Sequence, residues 1–134
     1  MRRVVITGVG LITALGTGTE KTWKSLLDGD CGINTIESFD TSDQSVHIAG
    51  EVRDFNPEDY IQKKELKKLG RFSQFAIAAS KMALDDAKLD INESNATRVG
   101  VIIGSGIGAL EVIETEIGKM IEKGPKRISP FYIP

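Results

Sequence analysis

The residues of this 134-residue chain that could do chemistry are two glycine clusters, one cysteine, one histidine and a run of lysines. Gly8-Val-Gly10-Leu-Ile-Thr13 follows the β-branched run Val4-Val-Ile6 and comes close to the G-x-G-x-x-G pattern of a dinucleotide-binding loop. That chemistry needs the free N–H groups of a helix N-terminus directly after the second glycine, where the pyrophosphate sits. Here Leu11 to Leu15 prolong the apolar run, Thr13 stands in place of the third glycine, and capping signals start no helix before Thr19. The residues favour tight strand-to-loop packing over a cofactor site. Gly104-Ser-Gly106-Ile-Gly108 also falls between a strand and a helix, but it lacks the Lys-Ser/Thr ending of a P-loop. Its glycines either permit a close backbone turn or let a mobile loop present Ile107 to a pocket.

Cys31 follows a helix end and has Asp30 beside it. A nucleophilic thiolate needs a neighbouring base or a helix N-terminus, so Cys31 is read as an unreactive thiol. As the sole cysteine it forms no internal disulfide, and it offers no thiolate metal cluster. His47 lies on a polar stretch with no Ser or Cys partner in view and is read as a surface residue. No catalytic triad, metal site or cofactor site is assembled. Lys63-Lys64-Glu65-Leu66-Lys67-Lys68, with Arg71 one turn on, would gather cations on one helical face. Such runs are often only solvated, yet in an otherwise acidic chain a local positive patch suits an acidic protein or a phosphorylated group.

The elements that must position these residues are legible from periodicity. Arg3 to Thr13 reads as a strand buried on both faces, ended by Gly16 and Gly18. A short amphipathic helix follows, with Thr19 as N-cap, Trp23, Leu26 and Leu27 on one face, and Asp28-Gly29 as its stop. Asp30 to Glu51 is a long surface excursion carrying a short edge strand within Val46 to Val52. Pro57 marks a helix start. Arg71 to Ala87 is a helix whose apolar stripe runs through Phe72, Phe75, Ala76, Ala79, Met82 and Ala83, its alanines implying close packing. Val99 to Gly104 is a second buried-strand candidate. Ala109 to Glu122 is a helix with Leu110, Ile113, Ile117, Met120 and Ile121 on one stripe, closed by Gly124-Pro125. The order strand, helix, helix, strand, helix makes the fold class α/β, without repeats or an internal domain boundary over 1–134.

Composition bounds the rest. At 40% hydrophobic and 27% charged residues the balance is that of a folded globular domain. A net charge of -2 provides no overall reason to expect a nucleic-acid partner, and no apolar run approaches the roughly 20 residues of a membrane span. With no signal-peptide pattern after Met1, a cytoplasmic location is the expectation. The apolar, proline-punctuated ending Ile128 to Pro134 is expected to be followed by further sequence.

The blocks RRVVITGVGLITALG, GDCGI, FDTSD, KKELKKLGRFSQFAIAASKMALDDA, RVGVIIGSGIGALE and GPKRISPFYIP, in this order, resemble the β-ketoacyl-acyl-carrier-protein synthases. The likeness is to the elongating synthase II type and covers essentially the whole chain. It implies a thiolase-like layered α/β fold, of which this is the N-terminal part of the first half only, and it implies that the first glycine-rich segment binds no nucleotide. The activity implied is decarboxylative Claisen condensation of an acyl chain with malonyl-acyl-carrier protein. A polyketide-synthase ketosynthase shares the same motifs, and a non-catalytic carrier-protein-binding or dimerising module is the alternative from another class.

The family's cysteine, two histidines and supporting lysine lie downstream of the SPF-x-x-P block, so no catalytic residue is carried over, and Cys31 does not match the family's Thr-Ala-Cys motif. The chain alone is expected to be inactive. By resemblance, Ile107 matches the side chain that gates the acyl pocket, and Tyr132 stands at a commonly aromatic position near the dimer seam and the far end of that pocket. Lys64, Lys67 and Lys68 match basic positions that meet the acidic acyl carrier protein. A homodimeric parent without a cofactor completes the implied picture.

Overall fold

Regular structure is carried mainly by helices, joined by two short hairpins. The computed structural model describes residues 2–132, which group into two compact units: 2–56 with 79–90, and 57–78 with 91–132.

In the first unit, β1 (Ile12–Thr13) pairs antiparallel with β2 (Gly16–Thr17), Thr13 lying opposite Gly16. The Thr13 hydroxyl accepts the Leu15 N–H at 3.1 Å and donates to the Gly16 carbonyl at 3.3 Å, which closes the turn. Buried Thr22 donates to the same carbonyl at 3.1 Å. Helix α1 (Thr19–Asp28) therefore starts only after a complete hairpin, with Gly18 at φ 98° before it and Gly29 at φ 76° as its left-handed cap. The expected N-cap, Thr19, is instead the first helical residue, and its hydroxyl donates to the Val9 carbonyl at 3.2 Å. The expected inward face is also corrected. Trp23 is 60% exposed and Leu26 and Leu27 are exposed too, because the hairpin contacts the side of the helix that carries Thr22.

The excursion after α1 does carry a short strand pair, β3 (Asn34–Thr35) with β4 (Ile48–Ala49), antiparallel. Glu51 ties its ends together. Its carboxylate accepts the Glu37 N–H at 2.9 Å and the Ser38 N–H at 3.1 Å, and pairs with Arg53 at 3.1 Å. The Ser38 side chain first, then the Glu37 N–H, with Arg53 and the Ser38 N–H adding to them, lower its pKa to about 2.

The strand expected over Arg3 to Thr13 is paired only at its end. Val4 is 95% and Ile6 87% exposed, so the expectation of burial on both faces does not hold. A central strand needs a ladder on each edge and a layer on each face, and the described residues supply neither along Val4 to Thr7. Only Gly8 and Gly10 are closely covered, by α3 (Arg71–Asp86). A Cβ at either glycine would lie 2.1 Å from a backbone oxygen, that of Ala83 or Ala79. The alanine-rich helix thus does pack closely, and the Val9 N–H donates to Asp86 at 2.8 Å.

The second unit begins with a 3-10 turn, Pro57–Asp59, and α2 (Lys63–Leu66). The first residues of α3 follow, then the 3-10 turn Ala96–Arg98, α4 (Leu110–Lys123) and the 3-10 turn Pro125–Arg127. Gly124, at φ 82°, ends α4 with its N–H on the Met120 carbonyl at 3.0 Å. The strand expected over Val99 to Gly104 is not formed, and Ile102 is 98% exposed for the same lack of a ladder partner. The apolar stripe of α4 is largely exposed at Leu110 and Ile121, whereas Glu116 is only 5% exposed. Among the described residues the buried hydrophobic side chains are Phe55, Ile61 and Ala78, and no large side chain is fully buried. Among the described residues no helix is long and apolar enough to cross a membrane.

Candidate functional site

A cavity of about 720 Å³ lies in the second unit, walled by Phe72, Ala76 and Ile77 of α3, Val112 and Thr115 of α4, and the 129–132 turn. Its geometry starts at Gly70. A Cβ there would come within 2.6 Å of the Ala109 Cβ, so glycine allows the residue preceding α4 to approach the start of α3. Glu111 then accepts the Arg71 N–H at 3.0 Å, capping α3 from a neighbouring helix and satisfying one of the donors a helix start leaves free. Arg71 also lies over the Phe75 ring at 4.9 Å.

The far wall is a turn built on Ser129. Its N–H donates to Glu116 at 2.6 Å, its hydroxyl accepts the Phe131 N–H at 3.1 Å and its carbonyl accepts the Tyr132 N–H at 3.1 Å. The second oxygen of Glu116 takes the Lys119 ammonium at 2.6 Å. Lys119 first, and the Ser129 N–H second, hold the Glu116 carboxyl below the usual carboxylate range.

Lys67 and Lys68 stand at the cavity, with the Lys68 ammonium 5.7 Å from the Phe131 ring centre and 3.2 Å from Glu65. α2 is continued past Leu66 by the bonds Lys68 N–H to Glu65 and Leu69 N–H to Leu66, so Lys64, Lys67 and Lys68 follow one another at helical spacing. All three are exposed, and Lys63 pairs with Glu58 at 3.3 Å. The arrangement is an apolar chamber with cations beside it.

The structure thus gathers Tyr132, Lys67 and Lys68 at one cavity. Lys64 lies outside the lining on the same helical turn, and Ile107, 72% exposed, also lies outside it. Ile107 sits in a loop where Gly108 takes φ 77° and donates its N–H to the Ser105 hydroxyl at 2.9 Å. Cys31 is exposed with its thiol 3.7 Å from the Ile33 carbonyl, and His47 Nδ1 lies 3.1 Å from the Thr41 hydroxyl. Among the described residues no group of three metal-ligating side chains forms. Gly8 and Gly10 are occupied by α3 and no helix follows them directly, so the dinucleotide geometry is not built. Glu111, Glu116 and Phe131 escaped the sequence reading. Glu116 had a signal: it falls three residues after Ile113 and four before Met120, a charge set within the apolar stripe.

Compared with known proteins, the family model described as "Beta-ketoacyl synthase, N-terminal domain" matches residues 1–134. The 3-oxoacyl-[acyl-carrier-protein] synthase 2 of Staphylococcus aureus (strain COL) is 49% identical over 133 residues, and that of Vibrio cholerae is 50% identical over 133 residues. Each match covers 99% of this chain and 32% of the relative, so the chain spans about a third of the length of these relatives. Among solved structures, the ishigamide ketosynthase/chain length factor superposes with a TM-score of 0.80 at 34% identity, covering 98% of this chain and 33% of that one. A beta-ketoacyl synthase from Burkholderia phymatum gives 0.74 at 32% identity, with 98% and 33% covered. A type II polyketide-synthase acyl-carrier protein in complex with its ketosynthase bound to the hexaketide gives 0.76 at 26% identity, with 98% and 34% covered.

Proposed function

Because the chain belongs to the β-ketoacyl synthase family, whose N-terminal domain it matches along its length, we propose that it is the N-terminal portion of a 3-oxoacyl-acyl-carrier-protein synthase elongating fatty acyl chains. The fold is the thiolase-like α/β fold of the ketosynthases. The observation that carries the activity is the 49% and 50% identity to 3-oxoacyl synthases across 99% of the chain.

The reaction proceeds in two transfers. A cysteine thiolate from the downstream part of the parent attacks the acyl thioester carbonyl, and the carrier's phosphopantetheine leaves as thiolate. Malonyl-carrier protein then loses CO2, the electron pair of the broken C–C bond becomes a carbanion, and its attack on the acyl-cysteine carbonyl expels the cysteine thiolate as 3-oxoacyl product forms. Histidines polarise the developing oxygen charge.

In this reading residues 2–132 supply docking and acyl accommodation. Lys64, Lys67 and Lys68 meet the acidic carrier, Tyr132 borders the acyl end, and Ile107 gates entry when the loop carrying it closes. Support for carrier docking comes from the exposed lysines beside an apolar cavity and from the neighbour solved with its acyl-carrier protein. The parent is a homodimer in this proposal.

The test is condensation. The gene product containing residues 1–134, given acyl- and malonyl-carrier protein, yields 3-oxoacyl-carrier protein and one CO2 per extension, read by mass spectrometry. Absence of product overturns the assignment. Residues 1–134 alone yield none, and product from them would overturn the reading of this chain as non-catalytic by itself. The polyketide reading is favoured by the ishigamide and type II neighbours, and it predicts repeated extension without intervening reduction. Carrier binding with no condensation by the whole gene product would instead mark a binding module.

A further inference from the structure

We infer that Glu116 is the positioning residue that sets the acyl-facing wall of the cavity, by clamping Ser129 and through it Phe131 and Tyr132. A carboxylate that is 5% exposed is costly to keep charged unless each oxygen is matched. Here one oxygen takes Lys119 and the other takes the Ser129 N–H, both at 2.6 Å. Lys119 is itself partly exposed, so the ion pair needs no further burial. The bond to Ser129 is the one that reaches across 13 residues.

Ser129 passes the constraint on. Its hydroxyl and carbonyl receive the N–H groups of the next two aromatic residues, and Glu116, Ser129, Phe131 and Tyr132 all line the same cavity. The Lys68 ammonium over the Phe131 ring adds a contact from the carrier-docking turn to the same wall. A wall held by one buried carboxylate has a defined distance from α3 and α4. Without it the turn keeps its local bonds and the Lys68–Phe131 contact but loses its hydrogen bond to α4, and chain length is read less sharply. This inference rests on the proposed acyl function of the cavity, whereas the clamp itself does not.

Two readouts separate them. In the gene product as it exists, Glu116→Met keeps the side-chain length and removes both acceptors, while Glu116→Gln retains an oxygen for Ser129. Hydrogen exchange should show Ser129 losing protection by about tenfold or more in Glu116→Met and regaining most of it in Glu116→Gln. Unchanged exchange in Glu116→Met overturns the clamp. The ratio of kcat/KM for long over short acyl-carrier proteins should fall about tenfold in Glu116→Met, with partial recovery in Glu116→Gln. A uniform loss at every chain length overturns the positioning role and leaves a structural one. Wild-type protein without condensation overturns the functional reading, and the Ser129 exchange still decides the clamp. Should Glu116→Met fail to fold by circular dichroism, Ser129→Ala removes the acceptor for Phe131 alone and must shift the same exchange at residue 131, an unchanged rate there overturning the relay.

Discussion

A methyl group added to Gly8 or Gly10 would have to occupy space already held by the backbone of α3, 2.1 Å away in each case. Neither backbone can retreat without opening the helix. Gly10→Ala is expected to destabilise by about 3 kcal/mol in urea unfolding. Gly106→Ala is the contrast: nothing lies within 4 Å and φ is not positive, so stability should hold or rise by up to about 1 kcal/mol. Equal effects at the two sites would contradict this division between a packed and an open glycine cluster. Glu51 provides a pH test at the same scale. Its folded pKa of about 2 is depressed from 4.5, so its contribution is complete above pH 4.5 and is lost as pH falls through about 2. The thermal midpoint should drop over that window, and Glu51→Gln should lose part of the drop while starting from a lower midpoint.

At the scale of elements, α2 is a single turn of helix whose content is charge rather than packing. Lys64, Lys67 and Lys68 are exposed and bury no side chain of the core. Changing all three to Glu should leave far-UV circular dichroism unchanged while lowering carrier-protein affinity at least about tenfold at low salt. Wild-type affinity should itself fall as salt rises. Binding that ignores both changes would move docking away from α2. Among longer helices, α4 demonstrates how one charge reorganises an amphipathic surface. Its turn around Glu116 faces the 129–132 segment, and the exposed Ile121 lies more than a turn further on.

For the whole molecule, the decisive feature is apolar segments without ladder partners. Val4, Val5 and Ile6, with Val101, Ile102 and Ile103, present unpaired N–H and C=O groups alongside β-branched side chains, and Trp23, Leu26 and Leu27 add an exposed helix face. Such edges recruit other strands. In the synthase reading their partners are supplied by the rest of the parent, as this chain spans about a third of the length of the relatives it matches. Residues 1–134 prepared alone should therefore self-associate and bind a hydrophobic dye. A clean monomer with cooperative unfolding in sedimentation and calorimetry would contradict this.

Helix positions were legible because their signals are local: 3.6-residue periodicity with the stops Gly29 and Gly124 places α1, α3 and α4 within a residue or two of their observed bounds, whereas the helix start expected at Pro57 opens only the 3-10 turn Pro57–Asp59. The long excursion with its short edge strand was equally readable from turn residues. The run Val4 to Ile6 carries the composition of a buried strand, but burial is a property of what lies beside it, which no window of sequence contains. For the same reason periodicity placed Trp23 and Leu27 on an inward face that the hairpin covers at Thr22 instead. The lysines of α2 could be named from spacing, while their neighbourhood with Tyr132 required the chain to return some 60 residues later. Local spacing determined the helices, the turn chemistry and the family likeness of this chain. Only the tertiary structure decided that a buried carboxylate on α4 holds the aromatic wall of the cavity, because that bond joins groups no periodic pattern brings together.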